Sequence, residues 1–420
     1  MSWRALGLLA LLVSCFSHAE LSFDWDYTIS SQAQAHRDSQ LLGPKARSST
    51  EQVDALLDVE VQGYDLTGLF AAKGNRIYSS DSSQSFDAEL IVQELFWQSS
   101  QQVGDMPIDL TLGKVRLDWG VGYGYRPLDL FKPYRRNPVG IQVEEGVGSA
   151  MASYFDSAGE WGLVYTDSSW SQQSATTLEQ AAQQQGVGLR RYWMQGDNEW
   201  QGIAYYDDVR HGLLGGSLVT VVDSAWAWHA SAVYQRRYLT FVQSSAAPTE
   251  LTSATSGFQA LLGLNWANAM GNNIIVEYWY DNRSWSKQQW DFAFQQRTKL
   301  SSNPGTAPMA ASYANGLTHA NLVQHNLMFH WSLDSSSWSQ WSWSQNMLWL
   351  NDFSPTIDLL YAPEDNGVIA TQWLKYTLHD SGKVSFLAEL AARFMTGSKQ
   401  SLYANLPDKR MIFLNLRGKF

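Results

Sequence analysis

The chain has 420 residues, 45% of them hydrophobic and 16% charged, with a formal net charge of −11 and one cysteine. Twenty Trp, 19 Tyr and 17 Phe make it aromatic-rich, yet no apolar run beyond the N-terminus is long enough for a transmembrane helix, which excludes a helical membrane protein. A lone cysteine excludes a disulfide scaffold, and no nucleic-acid partner is expected of an acidic chain.

Residues 1–19, MSWRALGLLALLVSCFSHA, carry Arg4, an apolar run from Ala5 to Val13 and the small-x-small triplet Ser17-His18-Ala19. This predicts a signal peptide, 1–19, and a mature chain, 20–420. In a competing reading, Leu12-Val13-Ser14-Cys15 has lipobox character and Cys15 would be lipidated. Cleavage after Ala19 removes only Arg4 from the charge balance, leaving 28 basic and 40 acidic residues and a net charge of −12.

Strand periodicity starts at once. In LSFDWDYTIS, Leu21, Phe23, Trp25, Tyr27 and Ile29 share one face, and Ser22, Asp24, Asp26, Thr28 and Ser30 the other. In VDALLDVEVQ, Val53, Ala55, Leu57, Val59 and Val61 oppose Asp54, Asp58, Glu60 and Gln62. Such alternation fits a soluble sandwich with its apolar face inward, or a membrane barrel with its apolar face outward. Connections separate the two. Tight turns are expected at Gly63-Tyr64-Asp65, Asp156-Ser157-Ala158-Gly159, Gly196-Asp197-Asn198, Gly271-Asn272-Asn273 and Asp380-Ser381-Gly382. Longer Ser-, Gln-, Asn- and Gly-rich stretches lie at about 31–52, 123–146, 168–186, 243–257, 284–318, 351–366 and 395–408. Short periplasmic turns alternating with long extracellular loops predict an all-β fold: one antiparallel transmembrane barrel of about 18 strands, with 16 possible.

The segment LTLGKVRLDWGVGYGYRPLDLF, 110–131, begins as a strand with Val115, Leu117 and Trp119 on one face and Lys114, Arg116 and Asp118 on the other. The bland reading of Trp119-Gly120 is a girdle aromatic followed by a glycine where strand meets loop. The functional reading folds 123–146 back into the pore. Arg126, Lys132, Arg135 and Arg136 would then face Glu144 and Glu145 across a constriction, where rings of charge set selectivity. The GK-x-R-x-DWG…RPLD pattern resembles the outer-membrane porin-like group that includes alginate-export-type barrels. That resemblance covers these residues and the layout of leader, strands and terminal Phe. It implies an outer-membrane channel and names no solute; an arginine-lined conduit for polyuronate is not evident residue by residue.

Farther on, Ile274, Val276, Tyr278 and Tyr280 oppose Glu277 and Asp281, and Val384, Phe386, Leu390 and Phe394 oppose Glu389 and Arg393. His330 and Ser332 share a face at i, i+2, as an esterase would need. Parity with Gln324 and Asn326 turns that face inward, and no enzyme is expected. His325 shares the opposite face with Leu327 and Phe329. No metal spacing, phosphate loop or nucleophile elbow is present, so neither metal nor cofactor is expected. The chain stops on KRMIFLNLRGKF. Its apolar face, Ile412, Leu414, Leu416, Gly418 and Phe420, is the kind of strand the outer-membrane assembly machinery reads, and it should close the barrel against the first strand. Arg417 and Lys419 should then fall near Ser22 to Asp26.

The expected partners are therefore a lipid bilayer, the assembly machinery and a small solute or polymer. The expected function is a channel for small solutes through a charged lumen. Pore-lining or constriction candidates are Asp58, Glu60, Lys114, Arg116, Asp118, Arg126, Arg135, Arg136, Glu144, Glu145, Glu277, Glu389 and Arg393. Export of a polysaccharide or other product, and a non-conducting surface adhesin or receptor, are the alternatives.

Overall fold

The structure is a computed structural model that describes residues 21–78, 85–131, 141, 143–171 and 176–420. The expected signal peptide, Cys15, Lys132, Arg135 and Arg136 lie outside the described residues.

Eighteen strands follow one another along the chain. The first nine are β1 Ser22–His36, β2 Ser49–Gly63, β3 Leu66–Tyr78, β4 Ser85–Val103, β5 Met106–Val115, β6 Val147–Phe155, β7 Gly159–Asp167, β8 Gln185–Gln195 and β9 Asn198–Asp207. The second nine are β10 Leu213–Val221, β11 Trp226–Val242, β12 Glu250–Ala267, β13 Asn272–Asp281, β14 His325–Leu333, β15 Phe353–Ala362, β16 Gly367–Asp380, β17 Ser385–Thr396 and β18 Asp408–Lys419. Each pairs antiparallel with the next, and β1 pairs with β18, so the sheet closes and has no edge.

Closure uses the last residue. Asp26 lies opposite Lys419 and Thr28 opposite Arg417. Beyond the strand, the Phe420 amide donates to the Trp25 carbonyl at 3.0 Å. The polar sides of these strands hold Arg417 within 4.0 Å of Asp26, the predicted meeting of a basic last strand with an acidic first one.

Register makes the two faces explicit. Leu57, beside Tyr27 and Ala72, points outward and is exposed, as are Leu90, Leu163, Leu262, Leu390 and Leu414. Asp58 points inward and accepts a hydrogen bond from Gln93 at 2.6 Å. An exposed apolar band around a closed barrel is solvated by lipid. Leu57→Arg is accordingly expected to destabilise the barrel by about 2–4 kcal/mol, as a cation does near the midplane of a lipid-facing strand. Asp58→Asn should fold almost normally. Urea unfolding in vesicles reads both; equal losses would mean that the faces are exchanged.

Three expectations need correction. The stretch 351–366 is not a loop: it contains β15, whose Pro355 sits near the strand start, where a missing N–H is tolerated. The 31–52 and 243–257 connections are shorter than expected, because β1, β2 and β12 continue through Ser-, Thr- and Gln-rich sequence. The connection 282–324 is also not irregular throughout. Ser286 caps a 15-residue helix, Lys287–Ser301, in a capping box with Gln289, and Trp290, Ala293 and Phe294 form its buried stripe at i, i+3, i+4. That stripe joins Leu41, Phe241, Trp285, Tyr313, Leu402 and Tyr403 in the largest apolar cluster, at the end of the barrel away from Phe420. There Arg37 donates to the carbonyls of Met395, Tyr403, Leu406 and Asp408 at 2.9–3.1 Å, binding the first connection to the last.

Candidate functional site

The connection between β5 and β6 turns into the barrel. Its GVGYG run, Gly120 to Gly124, explains how. A Cβ on Gly124 would collide with Met328 Sδ, and one on Gly122 with the Tyr125 carbonyl and Leu261. Only glycine lets the main chain lie this close to the inner wall.

The wall meets it with buried acceptors and donors. Glu277 of β13 is fully buried and accepts from the Tyr123 amide at 2.6 Å, the Gly124 amide at 2.7 Å and His229 Nε2 of β11 at 2.7 Å. The Tyr123 hydroxyl lies 2.8 Å from His330 Nδ1, and the same nitrogen is 2.6 Å from Asp358. The Tyr125 hydroxyl donates to Asp281 at 2.9 Å, beside Arg283, while its ring stacks on Trp279 with centroids 5.6 Å apart. Gln201 donates to the Trp119 carbonyl at 2.9 Å and Arg210 to the Leu130 carbonyl at 2.7 Å. Between these anchors, Trp119 and Leu128 pack on the inward residues Val164, Ile203, Tyr205, Leu213 and Val233.

The return limb lies elsewhere. Ile141 and Val143 pack on Leu56, Ala71 and Ile91 of β2, β3 and β4. The Gly146 amide donates to the Gln93 carbonyl at 2.8 Å, and Lys114 and Glu145 form a buried ion pair. One limb thus lies on the β7–β14 wall and the other on the β2–β4 wall. On its side facing the 282–324 connection is a cavity of about 430 Å³, lined by Arg116, Asp118, Arg126, Asp129, Glu144 and Arg283 among others.

The predicted site residues divide accordingly. Asp118, Arg126 and Glu144 do line this cavity, with Arg126 Nη1 2.6 Å from Asp118. Arg116 lines it too and pairs with Glu94 at 3.0 Å. Glu145 also borders it, but its carboxylate is buried against Lys114 rather than opposed to Arg126. Glu277 and Lys114 are corrections to the pore-lining set: both are buried and hold the connection in place. Elsewhere on the inner wall, Glu389 accepts from Asn415 at 2.8 Å, Arg393 donates to Thr371 at 3.1 Å and Glu60 is bonded to Gln62. The sequence did not single out His229, Gln201, Arg210 or Asp358 as anchors; inward parity was the only signal of the three on strands, and Arg210, in the connection 208–212, carried none. His330 and Ser332 do face inward as expected, 3.3 Å apart, with His330 engaged by the tip of the connection.

Asp129 is the titrating group here. Burial and the nearby Asp118 push its carboxyl up to about 7, against the pull of Arg126 and of the Gly120 amide 3.0 Å away. With a raised pKa, the carboxyl takes up its proton as pH falls through about 7, and the cavity loses a negative charge. Cation preference should therefore decline over this range, and Asp129→Asn should flatten the profile. Reversal potentials across a salt gradient measure both.

No family model matches the chain, and no curated protein matches it in sequence. Solved structures match its fold. OccAB1 of Acinetobacter baumannii aligns with a TM-score of 0.53 and 8% identity over 95% of this chain and 96% of that one. OccK5 (OpdH) of Pseudomonas aeruginosa gives 0.52 and 8% over 95% and 98%, and OccK8 (OprE) of the same organism 0.51 and 9% over 95% and 98%. These structures share the fold of this chain, a closed antiparallel barrel of 18 strands. The alginate-export-type resemblance expected from residues 110–131 is not supported by these matches.

Proposed function

We propose that this chain is a bacterial outer-membrane channel that passes small solutes through a lumen narrowed by the 116–146 connection. The observation that carries the reading is the connection's attachment to both walls, which leaves a charged cavity beside it rather than an open tube. Charges set in a narrow, low-dielectric passage focus the field on passing ions. In this reading Phe420 and both ends of the described chain lie on the periplasmic side, and the 37–48, 243–249 and 282–324 connections face outward. The terminal strand is the part read by the assembly machinery. No catalytic step is assigned: His330 serves the loop tip. Polysaccharide export lost its footing with the resemblance that implied it.

Reconstitution in planar bilayers tests the proposal. Discrete conductance steps are expected from the intact chain, and larger ones when residues 120–130 are replaced by a short Gly-Ser link. Neutralising Arg126 should shift ion selectivity, and less so in 1 M salt, where screening shortens to ~3 Å. A barrel that folds yet stays silent both intact and with the link would be a non-conducting one. Cysteines at 243–249 should label from outside intact cells and one at Asn272 should not; the reverse pattern would invert the topology.

A further inference from the structure

At the Phe420 end, seven of the connections between strands have two to four residues, but β14 and β15 are joined by 19, residues 334–352. Residues 335–351, SSSWSQWSWSQNMLWLN, contain four Trp and no charged side chain. The segment is ordered by its own contacts. Asp334 caps a 3-10 turn, Ser335–Gln340, and the Trp338 indole donates to the Phe353 carbonyl at 2.7 Å. Ser344 donates to the Trp338 carbonyl at 2.6 Å. Trp338 meets Trp341 and Trp343 edge-on at 5.3 and 5.9 Å, and those two stack on each other at 5.9 Å.

Its position follows from register. Ser354, Thr356 and Asp358 point into the lumen, so Phe353 points outward, beside Tyr376. Trp338 and Trp349 both pack on the Phe353 ring, at 6.0 and 6.4 Å. The connection therefore lies over the outer, lipid-side rim of the barrel and not under the pore. It continues an aromatic belt at this end, where Trp226 and Trp266 form an outward pair on β11 and β12. Beyond the packed cluster it leaves Trp343, Leu348 and Trp349 exposed by 62, 74 and 58%.

Resting on the barrel reading, we infer that residues 335–351 form a foot seated in the phospholipid headgroup layer of the adjoining leaflet. Trp combines an apolar body with one N–H donor, which suits the boundary between acyl chains and water. A segment without charge gains nothing from an anionic surface, so the partner is the zwitterionic phospholipid interface itself. The exposed Leu348 and two indoles leave water there, while the exposed Ser336, Ser339, Gln340, Ser342, Gln345 and Asn346 can hydrogen-bond the headgroups.

Depth measurement tests this. Nitroxide labels are placed at Leu348→Cys, at Ser381→Cys in the β16–β17 turn of the same end, and at Leu57→Cys on the lipid-facing wall, each with Cys15→Ser. The proteins are refolded into phosphatidylethanolamine–phosphatidylglycerol vesicles, and collision with oxygen is compared with collision with a water-soluble nickel chelate. The oxygen-to-nickel ratio at 348 should exceed that at 381 several-fold and fall below that at 57. A lipid-like value at 57 with equal, water-like values at 348 and 381 would overturn the foot while sparing the barrel, and would leave the Trp surface to a soluble protein. Water-like values at all three would remove the barrel reading and the foot with it.

Discussion

Glu277→Leu is expected to free the loop tip from the wall and raise single-channel conductance more than any other single substitution at the site. The carboxylate is fully buried and is the common acceptor for the Tyr123 amide, the Gly124 amide and His229. Leucine has a similar volume but accepts nothing, so three donors would be left facing an apolar surface. Each such loss costs about 1–3 kcal/mol, and a few kcal/mol is enough to shift a two-state loop by two or more powers of ten. The tip would leave for water, where its amides are solvated. Trp119 and Leu128 would stay on their own patch, because their contacts with Val164, Ile203 and Val233 do not depend on Glu277. The expected record is therefore a larger and noisier open level, not a tube without a loop. Glu277→Gln keeps one carbonyl acceptor but turns an amide group toward the second N–H, and should move conductance the same way by less. An unchanged open level in a Glu277→Leu barrel of normal heat-modifiability would show that the other anchors suffice.

Phe420→Ser should lower the yield of folded barrel several-fold. The ring stacks on Trp25 with centroids 4.1 Å apart and planes 11° apart, and also meets Phe386 edge-on at 5.6 Å and Tyr27 at 6.0 Å. Aromatic pairs contribute about 0.5–1.5 kcal/mol each, so three amount to roughly 1.5–4.5 kcal/mol at the seam where the last strand meets the first. Closure is the least local pairing in the chain and carries the largest loop-closure entropy, so a loss at this seam falls on the step that completes the barrel. Phe420→Trp keeps the stack and should be close to the parent. A heat-modifiable fraction and urea midpoint unchanged by serine would refute the role given to the ring.

Much of the wall was legible because its two solvents differ. Leu57 and Asp58, or Leu414 and Asn415, sit on opposite faces by parity alone, and a barrel puts lipid on one side and water on the other. The same rule misjudged the strand ends. Ser31, Gln32 and Gln34 read as loop because they are polar, yet β1 runs on to His36. Beyond the lipid an outward residue no longer needs to be apolar, so periodicity stops before the strand does. Phe353–Ala362 was missed for a related reason: Ser354, Pro355 and Thr356 have turn chemistry, and pairing with β14 and β16 outweighed it.

The candidate site was legible only as an inward face. Sequence alone determined that Glu277, Lys114 and Glu389 belong to the polar side and that the strand gives way to a loop at the Gly-rich run after Trp119. Which of these charges meets water was decided by tertiary structure. Glu277 lies behind Tyr123 and Gly124, 154 and 153 positions away along the chain, and Lys114 lies behind the returning limb at Glu145. A carboxylate that has lost its water becomes a structural acceptor rather than a pore charge, and that desolvation is set by what folds over it. Period-two alternation reports the side of a wall, whereas burial depends on contacts between segments that the alternation does not relate.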